Sequence, residues 1–525
     1  MMALALKTPL KILNNPGRNE LRRLSQREET TTAYGAPAYF TLKSASRSAS
    51  STQMLADRPL GLGQTPANPD AVRYAEDMLE KILPQLELIQ IDRVIGNNNR
   101  KTWHCRLLIP KEYARIALLW SETLFEASPS QRDPQTKPDF LTIDIPNWPE
   151  AFPSANGTNK IGPKGIFVRA DEGKTYIFGT DYVGEVKMSF LRQAMYQMKK
   201  AGGLGLHAGS KILKLKNASG ALENIGVLLF GLSGTGKTTL TLESHGLKTP
   251  EGIELLQDDI VWMTTTGEAL GTEDNFYVKT EGVSKDTQPG IDLALLDPGT
   301  VFENVSVNEK SKMPEFLNFS RGTNGRALAI RRKIPGSSDE INLNKVHKIF
   351  FITRRDTIVP PVAKLTPRQA AAYFMLGESI ETSAGDPTKA GQPKHEVGFN
   401  PFIIGREDEE GKRIGDIIQA NSIECFLLNT GSLGKNGDQN LPPKKITQQV
   451  SSKIIEMVSR NAISWTKDSD WGYETAVKVP DLSSWSADYD PRRYYSSAAY
   501  QQLTQELKTE RSEFLARYRF ELPTN

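Results

Sequence analysis

The sequence predicts an α/β fold, and three observations lead to it. From Ile225 onward an apolar strand, a glycine loop, a helix and another strand follow in order, a strand–loop–helix core. The chain has 525 residues, 38% apolar and 24% charged, enough to bury large cores. No repeat period is visible, which disfavours solenoids. At roughly 150 residues per domain the length admits three or four domains, or two large ones.

Residues 1–75 are rich in Ser, Thr, Ala, Gly and Pro and read mostly as arm and loop. Apolar spacing predicts a helix over Ala71–Leu83, stopped by Pro84. Leu86–Ile95, Trp103–Ile109, Phe140–Ile145 and Tyr176–Gly179 read as strands. Met188–Lys199 is helical, stopped by Gly202 and Gly203, and Leu206–Leu213 alternates like a strand. Ile225–Phe230, Ile253–Leu256, Ile349–Ile352 and Phe426–Leu428 are apolar strands. Lys237–Leu242 opens a helix, and Gln501–Tyr518 reads as an amphipathic terminal helix. A boundary near Ser219–Glu223 divides the chain into 1–222 and 223–525.

Lys+Arg 65 against Asp+Glu 62 leaves a net charge of +3, weak grounds against a nucleic-acid partner. The longest apolar run, Ile225 to Leu232, is far shorter than the roughly 20 residues of a membrane span. Cys105 and Cys425 are the only cysteines, which excludes a disulfide framework or a cysteine zinc site and favours a reducing compartment, the cytoplasm. Residues 1–50 hold eight Lys/Arg against three Glu, open to reading as an organelle transit peptide or as a solvated arm.

Gly231-Leu-Ser-Gly-Thr-Gly-Lys237-Thr-Thr239 fits G-x4-G-K-[ST]. Glycines let backbone N–H groups converge on phosphate oxygens, and the following helix adds its positive end. Gly231, Ser233, Gly234, Thr235, Gly236, Lys237, Thr238 and Thr239 are therefore the expected nucleotide cradle. Lys237 would reach the β- and γ-phosphates, and the Thr238 hydroxyl would ligate Mg²⁺. Gln257-Asp258-Asp259 ends the next strand, where a nucleotide-bound metal needs a carboxylate; read alone, it is equally a solvated turn. Upstream, Tyr182-Val-Gly-Glu-Val-Lys187-Met188 precedes a helix, and His207 lies in a glycine-rich strand. A lone histidine is more often a structural group than a ligand.

Together these segments resemble the ATP-dependent phosphoenolpyruvate carboxykinases. That family has Y-x-G-E-x-K-K, a histidine strand, G-L-S-G-T-G-K-T-T-L and a strand ending in D-D, and all four occur here in order, the first with one change. Tyr277-Val-Lys279, Phe302–Val305, Pro360–Thr366, Leu428–Gly431, Asp490-Pro-Arg492 and Asn15-Pro16 also resemble family segments. The similarity accounts for the N-terminal arm and argues against a transit peptide. It implies a two-lobed α/β fold: a mixed substrate domain over 1–222, a nucleotide- and metal-binding domain over 223–525, and the site in the cleft. It implies the conversion of oxaloacetate and ATP to phosphoenolpyruvate, CO₂ and ADP, as in gluconeogenesis, with ATP, Mn²⁺ and Mg²⁺ as cofactors and small molecules as partners; the sequence leaves the oligomeric state open, with a monomer favoured.

By the same resemblance Lys187, Lys237, Arg326 and Tyr182 are the catalytic candidates. His207 and Asp259 would hold Mn²⁺, and Thr238 the nucleotide Mg²⁺. Tyr182 and Gly184 would flank the substrate, Arg326 and Arg47 would bind its carboxylates, and Lys445 and Ile446 would lie on the adenine side. Two arginines suit a dicarboxylate, because the guanidinium fork pairs bidentately.

The departures cluster on the substrate side. The family's metal-binding second lysine is Met188 here, a thioether and a poor Mn²⁺ ligand. D-D-E-H-x-W becomes Asp258-Asp-Ile-Val-Trp262, G-R-S-P-K-D-K becomes Ser46–Thr52, and F-S-x-C-F-G becomes Phe399–Phe402. K-R-I-S becomes Lys444–Thr447, a milder change. Two further readings stay open: a kinase of the same fold with another acceptor, and a nucleotide-sensing regulator without turnover, against which the intact Lys187, Lys237, His207 and Asp259 speak.

Overall fold

The computed structural model describes residues 11–44, 46, 49–98, 101–149, 160–320, 324–381 and 391–523. Two compact units emerge: Met1–Gln197 with Thr272–Pro335, and Met198–Gly271 with Gly336–Asn525. The expected division at 222/223 differs from this one. The expected boundary near Ser219–Glu223 falls on the tight turn Asn217–Ala221, which joins the paired strands Leu204–Lys216 and Leu222–Gly231, and on the start of the second of them. The Asn217 side-chain oxygen accepts from the Ser219 and Ala221 amides at 3.0 Å each, and Gly220 supplies the left-handed residue at φ +83°.

The first unit is built on a nine-stranded mixed sheet. Its middle runs Glu87–Ile95, Trp103–Pro110, Phe140–Ile145, Lys174–Phe178 and Gly165–Arg169. Helix Pro69–Ile82 starts where Asn68 accepts the Asp70 amide at 2.8 Å, with proline as its first residue. It buries Val72, Ala75, Leu79 and Ile82 in a core with Ile143, Phe167, Tyr176 and Phe178. The described residues among the first 75 are more regular than expected: Lys11–Asn14 pairs parallel with Glu87–Gln90, and Arg18–Leu24 is helical. Elements this short are held by tertiary partners and leave no periodicity to read. A five-stranded sheet joins Phe276–Lys279, Arg326–Ala329, Val301–Glu303, Pro37–Tyr39 and Thr30–Thr31. Helix Val183–Lys200 begins before the expected Met188, so Lys187 lies within its opening turns.

The second unit carries a ten-stranded sheet. At its centre Leu222–Gly231, Lys348–Thr353 and Glu424–Asn429 run parallel, with antiparallel strands to either side. Their apolar runs Val227–Phe230, Ile349–Ile352 and Phe426–Leu428 are fully buried, as central parallel strands require. Helix Pro367–Leu376 opens with a capping box between Thr366 and Gln369 and closes on Gly377 in the left-handed region. The terminal helix runs Ser497–Ala516, and its Arg511 forms a buried ion pair with Glu378 at 2.6 Å.

Lys211 lies fully buried on strand Leu204–Lys216. Its ammonium donates to the Leu240 carbonyl at 2.6 Å and the Glu243 carbonyl at 3.1 Å, capping the end of the phosphate-loop helix Lys237–Leu242. It also meets His245 Nε2 at 2.5 Å, and His245 Nδ1 faces the Ser452 carbonyl. Burial lowers Lys211 from 10.5 to about 7. Between these values the unfolded chain holds a proton that the folded chain has lost. Stability therefore rises with pH across that window, by up to about 1.4 kcal/mol per unit. Lys211→Met should flatten the rise between pH 7 and 9 and strand two carbonyls at a cost of about 1–3 kcal/mol each. Chemical denaturation at pH 7, 8 and 9 checks this; an unchanged slope would refute the assignment.

Candidate active site

The phosphate loop leaves the sheet at Gly231, where a Cβ would meet Thr235 Oγ1 at 2.5 Å, so only glycine fits. Thr235 folds back, its amide and hydroxyl donating to the Leu232 carbonyl at 3.1 and 2.7 Å. Gly234 and Gly236 take φ of +83° and +94°, which aims successive amides at the loop mouth. Ser233 and Gly234 are exposed. Lys237 Nζ donates to the Asp258 carbonyl at 2.8 Å, and Thr238 Oγ1 donates to Asp258 Oδ2 at 3.0 Å. Loop lysine, loop hydroxyl and strand-end carboxylate thus converge. Thr430 Oγ1 holds the loop from the next strand end, donating to the Thr235 carbonyl at 2.8 Å. Ile446 N donates to the Gly431 carbonyl at 2.9 Å, which brings the expected adenine-side segment beside that contact. Lys445 is exposed on the short strand Lys444–Lys445.

His207 Nε2 and Asp259 Oδ1 stand 3.0 Å apart, with side chains 21% and 32% exposed. His207 Nδ1 lies 2.7 Å from the Phe399 carbonyl, so Nδ1 carries the proton and Nε2 presents a lone pair. Burial, helped by the charge of Lys237, lowers the histidine pKa and keeps the ring neutral, while Asp259 opposes the shift. Two electron-rich atoms therefore face each other, an arrangement that a cation would complete. Ligands at about 2.1 Å on adjacent octahedral vertices stand about 3 Å apart, so the pair fits Mn²⁺ or Mg²⁺. Among the described residues no group of three or more His, Cys, Asp or Glu could hold a metal.

The first unit assembles a second cluster. Tyr182 is buried, and its hydroxyl accepts from Asn324 Nδ2 at 3.2 Å and Arg326 Nε at 3.4 Å. Its ring lies against Gly184, where a Cβ would meet it at 2.4 Å. Arg326 starts a strand between Lys279 and Glu303 in the register of its two neighbours. Lys187 Nζ pairs with Glu273 Oε1 at 3.1 Å and lies 5.9 Å from the Tyr277 ring centroid. The Tyr277 hydroxyl donates to Glu303, which also accepts the Val183 amide at the start of the lysine's helix.

The family model for phosphoenolpyruvate carboxykinase of the ATP type matches residues 11–484. The chain belongs to this family. A relative named phosphoenolpyruvate carboxykinase (ATP), from Aeropyrum pernix, is 33% identical over 505 residues, covering 95% of this chain and 93% of the relative. Relatives of the same name from Sinorhizobium medicae and Parvibaculum lavamentivorans are 28% and 27% identical, over 69% and 75% of this chain and 64% and 70% of their own. The mixed α/β architecture agrees with the carboxykinase family, as does the presence of two compact units.

Of the expected site residues, Arg47 lies outside the described residues. Met188 is buried on the helix of Lys187. Glu273, the partner of Lys187, escaped the sequence reading: in Thr-Glu273-Asp-Asn it looks like any solvated acidic turn, and only the fold brings it to the lysine. Asp258 was legible as an acid at a strand end, though not as the group that gathers Lys237 and Thr238.

With protein and Mn²⁺ alone, affinity read by electron paramagnetic resonance should fall at least about tenfold in Asp259→Asn. Because the His207 pKa is lowered, wild-type affinity should hold from pH 7.5 down to the ordinary histidine value of 6.5. Loss of affinity across that interval would show an unshifted ring.

Proposed function

We propose that this chain converts oxaloacetate and ATP to phosphoenolpyruvate, CO₂ and ADP. The observation that carries the reading is the conjunction, within one unit, of a complete phosphate loop with the His207–Asp259 pair at 3.0 Å, in a chain of the carboxykinase family. In the reaction the bond to the departing carboxylate breaks and its electrons move to the carbonyl oxygen. That oxygen attacks the γ-phosphorus, and ADP leaves.

The loop amides and Lys237 would bind and orient the β- and γ-phosphates. Arg326 and the Tyr182 hydroxyl, which touch each other, would hold a substrate carboxylate. Lys187, its ammonium positioned by Glu273, would carry positive charge to the oxygen that gains electrons. His207 and Asp259 would hold Mn²⁺, and Thr238 would hold Mg²⁺. These ions supply Lewis-acid polarisation and charge neutralisation when bound. Two free, buried cysteines, Cys105 and Cys425, support a place in the reducing cytoplasm.

Incubation with oxaloacetate, ATP and Mn²⁺ should yield phosphoenolpyruvate, ADP and CO₂ in equal amounts by product analysis. Met188 favours a second reading, a kinase of the same fold acting on another acceptor, because a buried thioether stands where the family sequence has a lysine. Met188→Lys separates the two. Under the first reading it tightens Mn²⁺ and raises oxaloacetate turnover. A folded, ATP-binding variant that still makes no phosphoenolpyruvate supports the second.

A further inference from the structure

We propose that Arg354 is a nucleotide-binding residue, a guanidinium beside the phosphate loop that contacts the polyphosphate of ATP and of ADP. The inference rests on the reading of Gly231–Thr239 as an ATP site. Arg354 directly follows strand Lys348–Thr353, which pairs parallel with the strand feeding the loop, in the register Gly231 to Ile352. Ligands of open α/β sheets bind beyond such carboxyl ends. The side chain turns toward the loop, and its Nη1 donates to the Gly234 carbonyl at 3.1 Å.

Two features separate it from an ordinary surface arginine. The first is partnership. Among the described residues the Gly234 carbonyl is the only hydrogen-bond acceptor of the Arg354 guanidinium, and no carboxylate forms an ion pair with it. Its neighbour Arg355 is instead neutralised, by Glu378 at 3.2 Å and Glu510 at 2.5 Å. A guanidinium has five donors in a planar fork, so one held by the loop carbonyl leaves others for phosphate oxygens.

The second is charge. The loop supplies a single cationic side chain, Lys237, and the carboxylates of Asp258 and Asp259 belong to the same edge of the unit. Apart from any bound metal ions, that leaves Lys237 as the loop's one cationic side chain to face the phosphate oxygens. Arg354 adds a permanent cation on the loop itself, one that is more weakly hydrated than an ammonium.

A purely structural role is the competing account, since Thr430 already straps the loop in a similar way through the Thr235 carbonyl. Titration calorimetry of the full-length protein with ATP, ADP and AMP, alongside the melting temperature of the ligand-free protein, distinguishes them. Arg354→Ala should weaken ATP and ADP about tenfold or more. AMP, followed by displacement, should change by less than about twofold, and the melting temperature should hold. Arg354→Lys should restore part of the loss by keeping charge without the fork. ATP affinity unchanged in folded Arg354→Ala would overturn the proposal. So would equal weakening of all three nucleotides with a lowered melting temperature, which marks a strap. Lys237→Ala serves as the control: if it removes ATP binding and Arg354→Ala does not, the ATP site stands and this inference alone falls. A wild-type protein that binds no ATP would defeat both.

Discussion

One buried amide holds the nucleotide side together. Asn429, fully buried, ends the third of the parallel strands at the centre of the second unit's sheet. Its Oδ1 accepts the Arg355 and Gly431 amides at 2.9 and 3.0 Å. Its Nδ2 donates to the Arg355 and Val359 carbonyls at 3.0 and 2.8 Å. All four hydrogen-bonding positions of the side chain are thereby filled, which is what makes a buried polar group a source of order. The amide locks the segment that carries Arg354 to the segment that carries Thr430. Thr430 reaches the phosphate loop through the Thr235 carbonyl, and Ile446 reaches Gly431. The loop, the neighbouring arginine and the segment at Ile446 so descend from the register of three strands and one side chain.

Each unit then solves a charge problem locally. In the second, the loop glycines turn amides outward while Asp258 collects Lys237 and Thr238. The His207 ring is kept neutral beside Asp259, so two electron-rich atoms stand side by side in the position proposed for a metal ion. In the first, Glu273 balances the nearly buried Lys187, and Glu303 links Tyr277 to the start of that lysine's helix. An ion pair between a buried ammonium and a buried carboxylate constrains the orientation of both, at the cost of desolvating them. That cost fits the role proposed for the lysine, which would meet charge that develops during the reaction.

The loop, its helix and its flanking strands were legible because glycine chemistry and apolar runs are local signals. Lys237–Leu242 and Phe140–Ile145 fall where the sequence places them. What was not legible is long-range. Residues 272–335 join the first unit through pairings such as Phe302 with Ala38, which no local pattern announces. The hairpin turn at Asn217–Ala221 has the composition of a linker, and only its flanking pairing distinguishes the two. Glu273 and Arg354 share that reason: their partners, Lys187 and Gly234, lie 86 and 120 residues away in the chain. Family similarity supplied the roles that spacing could not, and it also exposed Met188, where this chain departs from the family.

The central claim is that the His207–Asp259 pair and the phosphate loop form one charge-handling site. A crystal structure of the ATP and Mn²⁺ complex, with manganese located by anomalous scattering, tests it most directly. The account predicts a manganese peak within about 2.3 Å of both His207 Nε2 and Asp259 Oδ1, with the triphosphate lying on the amides of Gly234 to Thr238. Manganese bound elsewhere, with the histidine and aspartate still paired to each other, would contradict it.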